Sequence, residues 1–367
     1  MRALVTGANG FIGKNLVLRL FELDGVEVIT FIRGDTDEIL QNKLSCSDII
    51  FHLAGENRPS SPNAFEVNIT LTKKICLGLQ NLRKSVPLIF ISSAQADLDN
   101  PYGCSKLKAE EIVNNLAEQN GNPVAIFRLP GVFGKWSRPN YNSVVATFCH
   151  NKARDLPIQI NDSSSLVRLV YVDDVVNAFL SLLESFWTGC IRPEVVPEYS
   201  LTLRELSDQI DNFKNCRSTL ISEQVGGGLI RALYATYVSF LPSDKFIYDI
   251  PIYEDSRGVF VEMLKTPNTG QFSVFTAHPG KSRGGHYHHT KTEKFLVIKG
   301  KACFGFRHMI TNEVFHLYTE GAKPQVVDTV PGWTHDITNV GDEEMVVLLW
   351  ANEIFDRANQ DTISSKV

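Results

Sequence analysis

Up to about residue 180 the chain alternates short, nearly unbroken apolar runs with stretches of helical spacing. "ALVTG", "VEVITFI", "DIIFHLAG", "PLIFISSA" and "PVAIFRLPG" read as strands, and patterns such as Lys14 to Phe21 and Leu71 to Leu82 read as helices. Strands that lose the apolar/polar alternation are covered on both faces, which predicts a parallel sheet with helices on either side. From about residue 250 the texture changes. Short β-rich runs such as "EKFLVIKG", "ACFGFRH" and "EEMVVLLWA" are broken by Gly, Asn and Asp, predicting an antiparallel sandwich or barrel. Between the two lie "VGGGL" and an aromatic-rich helical run through Tyr237, and the boundary is placed near "LPSDKF", Leu241 to Phe246. The expected organisation is an α/β domain over 1–243 and an all-β domain over 244–367.

A chain of 367 residues exceeds what one core usually serves, which agrees with two domains. The formal net charge of −5 and a pI near 6.0 argue against nucleic acid or an anionic membrane surface as partner. Seven scattered cysteines with no CxxC pair read as reduced thiols. The opening "MRALVTGANG" lacks a signal pattern and no run approaches the ~20 apolar residues of a membrane span, so a cytoplasmic location is expected.

"ALVTGANGFIG" leaves a strand and enters a helix with Gly7, Gly10 and Gly13. The first permits a tight turn, the second lets backbone approach a pyrophosphate, and the third allows close packing, while the helix N-terminus stabilises the phosphates. After the second strand stands "FIRGD", and Arg33 suits a 2′-phosphate better than a ribose hydroxyl, favouring NADP over NAD. In "YGCSK", Tyr102 and Lys106 stand four apart on a helical pattern and share a face. An ammonium there can lower the phenol pKa, so that the tyrosine passes a proton to or from an alcohol during hydride transfer. Ser93, at the strand end "ISSA", can hydrogen-bond the reacting carbonyl.

With these motifs in this order, residues 1 to about 240 resemble an extended short-chain dehydrogenase/reductase of Rossmann type. The resemblance implies that Tyr102 is the general acid or base, that Lys106 holds the nicotinamide ribose, and that Ser93 orients the substrate oxygen. It implies a nicotinamide site formed by Gly7, Asn9, Gly10, Phe11, Ile12 and Gly13, with Asp48 near the adenine and "HLAG" (Leu53, Ala54 and Gly55) at the fourth strand. Its members usually act on nucleotide-activated sugars, and "RLPGVFGKWSRPNYNSVVATF" occupies the place of their sugar-nucleotide segment, implicating Asn140 and Asn142. Arg168 in "LVRLVYVDDV" is a candidate diphosphate ligand, since a guanidinium matches phosphate bidentately. Gly131, where many relatives have Asn, is a departure.

In the second half, "GKSRGGHYHHTKTEKFLVIKG" sets His286, His288 and Glu293 between Gly280 and Gly300, and "VPGWTHDITN" adds His335 in the spacing GxxHxxxN. His286 and His288 at i, i+2 on a strand point to one face. Three histidines and a glutamate suit Zn, Fe, Ni or Mn. These residues resemble the two cupin motifs, and "EDSRGVFVEML" with "SRGGHY" resembles the dTDP-4-keto-sugar 3,5-epimerases. In those epimerases the histidine matching His286 is the base, whereas in metal cupins it is a ligand. The full set favours a metal, leaving His289 or a metal-bound water as the base.

The whole chain resembles a family of bifunctional capsular-polysaccharide enzymes. That resemblance implies a cupin that epimerises C3 of a UDP-4-keto-6-deoxy-N-acetylhexosamine and a reductase that then uses NADPH on C4. The product would be UDP-2-acetamido-2,6-dideoxy-β-L-talose, on the way to UDP-N-acetyl-L-fucosamine for capsule or O-antigen, with zinc in the cupin and a homodimeric assembly. The alternative reading is an NAD-retaining sugar-nucleotide 4-epimerase whose cupin is structural or sensing.

Overall fold

The computed structural model describes residues 1–58, 65–358 and 361–367. The chain divides into two compact units, Met1–Ile210 with Arg231–Pro242, and Asp211–Ile230 with Ser243–Val367. Among the described residues no helix is long and apolar enough to cross a membrane.

In the first unit the chain runs β1 (Arg2–Thr6), α1 (Phe11–Phe21), β2 (Glu27–Phe31), α2 (Asp37–Cys46), β3 (Ile49–His52), α3 (Glu66–Gln80), β4 (Leu88–Ser93), α4 (Pro101–Asn120) and β5 (Val124–Leu129). It continues with β6 (Gly131–Phe133), α5 (Val144–Ala153), β7 (Leu166–Tyr171), α6 (Val172–Ser181), β8 (Cys190–Ile191) and β9 (Glu198–Thr202), then α7 (Leu203–Thr219) and α8 (Gly228–Ser239), whose residues 211–219 and 228–230 are counted with the second unit. The main sheet has the order β2-β1-β3-β4-β5-β8 and is parallel throughout. Successive residues of one strand feed opposite cores. Val5, Phe51 and Phe127 pack with Leu16 and Phe179 on one side, and Leu4, Ile50 and Phe90 with Leu40 and Val113 on the other. That double burial is why the strands read as continuous apolar runs. "HLAG" follows the third strand, not the fourth, because one helix alone separates β2 from β3.

The second unit begins its strands at β10 (Ile252–Asp255), followed by β11 (Gly258–Thr266), β12 (Gly270–Ala277), β13 (Ser282–Tyr287), β14 (Glu293–Lys299) and β15 (Lys301–His308). β16 (Val314–Glu320), β17 (Val326–Thr329), β18 (Trp333–Asn339), β19 (Met345–Ala351) and β20 (Ile363–Ser364) complete it. They form two antiparallel sheets, β10-β11-β12-β19-β14-β17 and β16-β15-β18-β13-β20. Phe275, Phe295 and Val347 of the first meet Phe304, Phe306 and Ile337 of the second. This is the all-β, cupin-like architecture expected from the short β-rich runs and the resemblance to the cupin motifs. Leu220 to Ser222 pair with Lys265 of β11, which ties the segment before α8 to this unit.

Candidate active sites of the two units

The turn from β1 to α1 is as tight as its glycines allow. Gly7 has φ +69°, and a Cβ there would lie 2.7 Å from the Ala54 backbone nitrogen. A Cβ on Gly13 would lie 2.2 Å from the Gly7 carbonyl oxygen. α1 starts behind Gly10 with no side chain capping it, so its first amides face the open end of the sheet. A backbone cradle of this kind fits a pyrophosphate.

Beneath the turn lies a group that sequence reasoning missed. His52 is fully buried, with Nδ1 2.8 Å from Thr6 Oγ1 and Nε2 3.0 Å from Thr72 Oγ1. The Thr72 hydroxyl donates to the Asn68 carbonyl, so it accepts from His52 Nε2, and Nδ1 accepts from Thr6. Thr6 Oγ1 in turn accepts the Ala54 amide at 3.2 Å. Burial, and then the nearby Lys106 charge, push His52 down to about 3, so it is neutral and serves as a hydrogen-bond link rather than a titrating group. Asn68 extends the link, accepting the Glu56 amide at 2.7 Å and donating to Ser105 Oγ at 3.1 Å.

Ser93 closes β4, and Tyr102 and Lys106 sit one turn apart at the start of α4. Asn100 caps that helix through the Gly103 amide, with Pro101 in its first turn, which fixes where Tyr102 emerges. Burial raises the Tyr102 phenol, and the neighbouring Ser93 hydroxyl pulls the other way. The expected lowering by Lys106 is not among the influences on Tyr102. Lys106 Nζ donates instead to the Ile91 carbonyl at 2.8 Å, over the Phe90 ring, and its burial pushes it down to about 8.

Tyr102 borders a cavity of about 660 Å³ together with Gln95, Arg58, Asn140, Tyr141 and Asn142. That volume suits a small-molecule ligand. Tyr141 Oη donates to Glu56 at 3.0 Å, and the almost fully exposed Arg33 reaches the other Glu56 oxygen at 3.3 Å.

Two expected residues stand apart. Asp48 precedes β3 and accepts the Arg2 amide at 2.8 Å, so it lies at the N-terminal edge of the sheet, about 13 Å of strand away from the glycine turn, and not near an adenine. Arg168 is exposed and held bidentately by Glu198 at 2.5 and 2.9 Å, outside the residues that border the cavity.

In the second unit the sequence-predicted quartet converges. One ligand atom from each of His286, His288, Glu293 and His335 lies within 4.8 Å of all the others. β13 and β18 place His286 directly across from His335, and His335 shares its inward face with Ile337. His288 and His335 each bring Nε2 to 3.3 Å from Glu293 Oε2, while Lys291 Nζ holds Oε1 at 3.1 Å. Burial opposes ionisation of Glu293, yet the adjacent His288 and His335 imidazoles and the Lys291 charge prevail and hold it well below its usual range. Burial, then His335, push His286 down to about 4, so this imidazole is neutral.

A metal fits this donor set. His288 Nδ1 meets the Asp361 carbonyl, which can only accept, so Nδ1 carries the proton. A neutral ring then aims a lone pair at a carboxylate, an arrangement that requires a cation between them. Either a proton on Nε2 or a divalent metal fills that role. Among the described residues neither ring nitrogen of buried His335 finds a hydrogen-bond partner, and a role as ligand accounts for one of the two. His286, Glu293 and His335 open on a cavity of about 250 Å³ also bordered by Arg257, Arg283, Phe275 and Leu349. His289, offered as the base, is exposed, packs on Tyr287 and does not border that cavity.

Residues 3–190 match the NAD dependent epimerase/dehydratase family, and residues 253–363 match the polysaccharide biosynthesis C-terminal domain. The chain thus belongs to the epimerase/dehydratase family, in a form that carries this second domain. A relative from Pseudomonas aeruginosa, UDP-2-acetamido-2,6-beta-L-arabino-hexul-4-ose reductase, is 54% identical over 368 residues, covering 100% of this chain and 99% of its own. The crystal structure of capsular polysaccharide assembling protein CapF from Staphylococcus aureus superposes with a TM-score of 0.90 at 39% identity, covering 100% of both chains. More particularly, then, the chain is a member of the CapF family. UDP-glucuronic acid 4-epimerase from Bacillus cereus, at 19% identity and a TM-score of 0.56 over 65% of this chain and 99% of its own, shares the fold of the first part.

Proposed function

We propose that the chain is a bifunctional nucleotide-sugar enzyme, with a reductase over 1–243 and a C3 epimerase over 244–367. Its substrate is a UDP-4-keto-6-deoxy-N-acetylhexosamine and its product UDP-2-acetamido-2,6-dideoxy-β-L-talose. The observation that carries the reductase reading is Tyr102, close enough to Ser93 for that hydroxyl to act on its phenol and one turn from Lys106, at the wall of the 660 Å³ cavity. The name of the full-length P. aeruginosa relative supports the substrate class.

When bound, the nicotinamide supplies a hydride to the C4 carbonyl carbon. Tyr102 Oη delivers the proton to the nascent O4 alkoxide, and Ser93 Oγ orients that oxygen. The glycine turn seats the pyrophosphate, and the exposed Arg33 guanidinium supports NADPH over NADH. Asn140 and Asn142 on the cavity wall hold the sugar nucleotide.

In the second unit His286, His288, Glu293 and His335 would hold one divalent ion, zinc being the favoured identity, and it would supply Lewis-acid polarisation in a site walled by phenylalanine rings together with Arg257 and Arg283. The C3 proton is acidic only while C4 is a ketone, because the neighbouring carbonyl takes up the carbanion charge. Reduction removes that activation. Epimerisation therefore precedes reduction.

The test is turnover of the full chain with the keto sugar and NADPH in D₂O. One NADPH consumed per sugar and deuterium at C3 of the product are expected. Tyr102→Phe should lower NADPH oxidation by roughly 10²–10⁴-fold and leave C3 exchange intact. Retention of unconsumed NAD with no C3 label would support the 4-epimerase reading instead.

A further inference from the structure

Residues 361–365 reach the supports of all four members of the quartet. The Asp361 carboxylate accepts the amides of His289 at 2.8 Å, Thr290 at 2.6 Å and Lys291 at 2.8 Å, and the Thr290 hydroxyl at 2.9 Å. These four bonds fix the loop that separates His288 from Glu293. The Asp361 carbonyl receives the His288 Nδ1 proton, which sets the ring's tautomer and aims Nε2 at Glu293. The lysine whose amide Asp361 anchors is the one that holds Glu293 Oε1, leaving Oε2 toward the histidines.

The neighbouring residues serve the other two. Ser364 of β20 pairs with His286 in register, and the Ser365 amide donates to the Gly285 carbonyl at 2.9 Å. The Thr334 hydroxyl, beside His335, donates to the Ser365 carbonyl at 2.8 Å. One short segment thus touches β13, β18 and the loop that leads into Glu293.

We propose that residues 361–365 are a strap that organises the metal-ligand set, with Asp361 as the positioning residue for His288 and Glu293. The proposal rests on the reading of the quartet as a divalent-metal site. Asp361 is not one of the four donors and does not border the 250 Å³ cavity. It acts through the loop it pins and the imidazole it orients, and outer contacts of this sort typically govern about 10–100-fold in metal affinity.

The test uses the full chain, stripped with a chelator and titrated with Co²⁺ by visible absorption and with Zn²⁺ in competition with a chromophoric chelator. The wild type should bind one ion per chain. Asp361→Ala should weaken binding by about 10–100-fold and alter the Co²⁺ spectrum, because the ligands lose their arrangement. Asp361→Asn, which keeps the shape, the backbone carbonyl and one acceptor oxygen, should fall between and decides the matter if the alanine variant does not fold. Failure of the wild type to bind would remove the metal reading itself. Binding by the wild type with unchanged affinity in both variants would overturn the strap, as would weaker binding with an unchanged Co²⁺ spectrum, which marks a merely structural role.

Discussion

Replacing Lys106 with methionine is expected to stabilise the first unit at neutral pH while stopping reduction. The ammonium is buried, with the Ile91 carbonyl at 2.8 Å and the Phe90 ring as its near partners. Glu110, the carboxylate that favours its charge, is already engaged by Arg128, Arg192 and Ser92. The result is a lysine whose pKa falls from 10.5 to about 8. At ~1.36 kcal/mol per pH unit this corresponds to about 3 kcal/mol by which the fold disfavours the charge. A methionine of similar length removes that cost and forfeits one hydrogen bond, worth about 1 kcal/mol, for a net gain near 2 kcal/mol.

The pH dependence identifies the cause. Because the folded pKa is the lower one, the unfolded chain binds the extra proton between pH 8 and 10.5, so wild-type stability rises across that window. Below about pH 8 both states are protonated and the full cost applies. The advantage of Lys106→Met should therefore be whole at pH 7 and fade toward pH 10.5. Calorimetry of the full chain, in which the transition of the first unit is followed separately, measures it. A variant less stable than wild type at pH 7, or an advantage constant with pH, would refute the reasoning and mean that the ammonium is fully compensated where it lies. On the proposed function, reductase turnover should be lost in the same variant whatever the pH, since the charge expected to hold the nicotinamide ribose has gone.

Gly13→Ala should abolish nicotinamide binding, because its Cβ would stand 2.2 Å from the Gly7 oxygen and 2.9 Å from Ala8 Cα, both backbone atoms that cannot yield without opening the turn. Strain of about 1–3 kcal/mol is expected, and an unchanged cofactor Kd by calorimetric titration would contradict it. Arg33→Ala should erase most of the proposed preference for NADPH, since a hydrogen bond to a charged group is worth about 1.5–3 kcal/mol, or tenfold and more in the ratio of kcat/KM values. Equal ratios in variant and wild type would show that another residue reads the 2′-phosphate.

Legibility in this sequence followed the range of the interactions involved. Strands buried on both faces announce themselves as apolar runs, and β3 and β4 are buried along their whole length. The glycine turn, the Tyr102–Lys106 helix face and the i, i+2 histidines are likewise local patterns. Two misplacements were open to correction from the sequence itself. In a parallel sheet, ligands gather at the carboxyl ends of the strands, so an acid ahead of a strand, as Asp48 is, belongs to the far edge. The period of two that sends His286 and His288 inward sends His289 outward. By contrast, the Glu198 that occupies Arg168 lies 30 residues away and across an antiparallel pairing. Thr6 meets His52 over 46 residues, and Asp361 meets Lys291 over 70. No local pattern marks such partners, because neither residue has a reason to be polar until the fold brings them together. The parts of a site that make contact with ligand repeat as motifs, whereas the parts that hold those motifs in place are set by topology. For that reason the quartet could be read from spacing, and the strap that organises it could not.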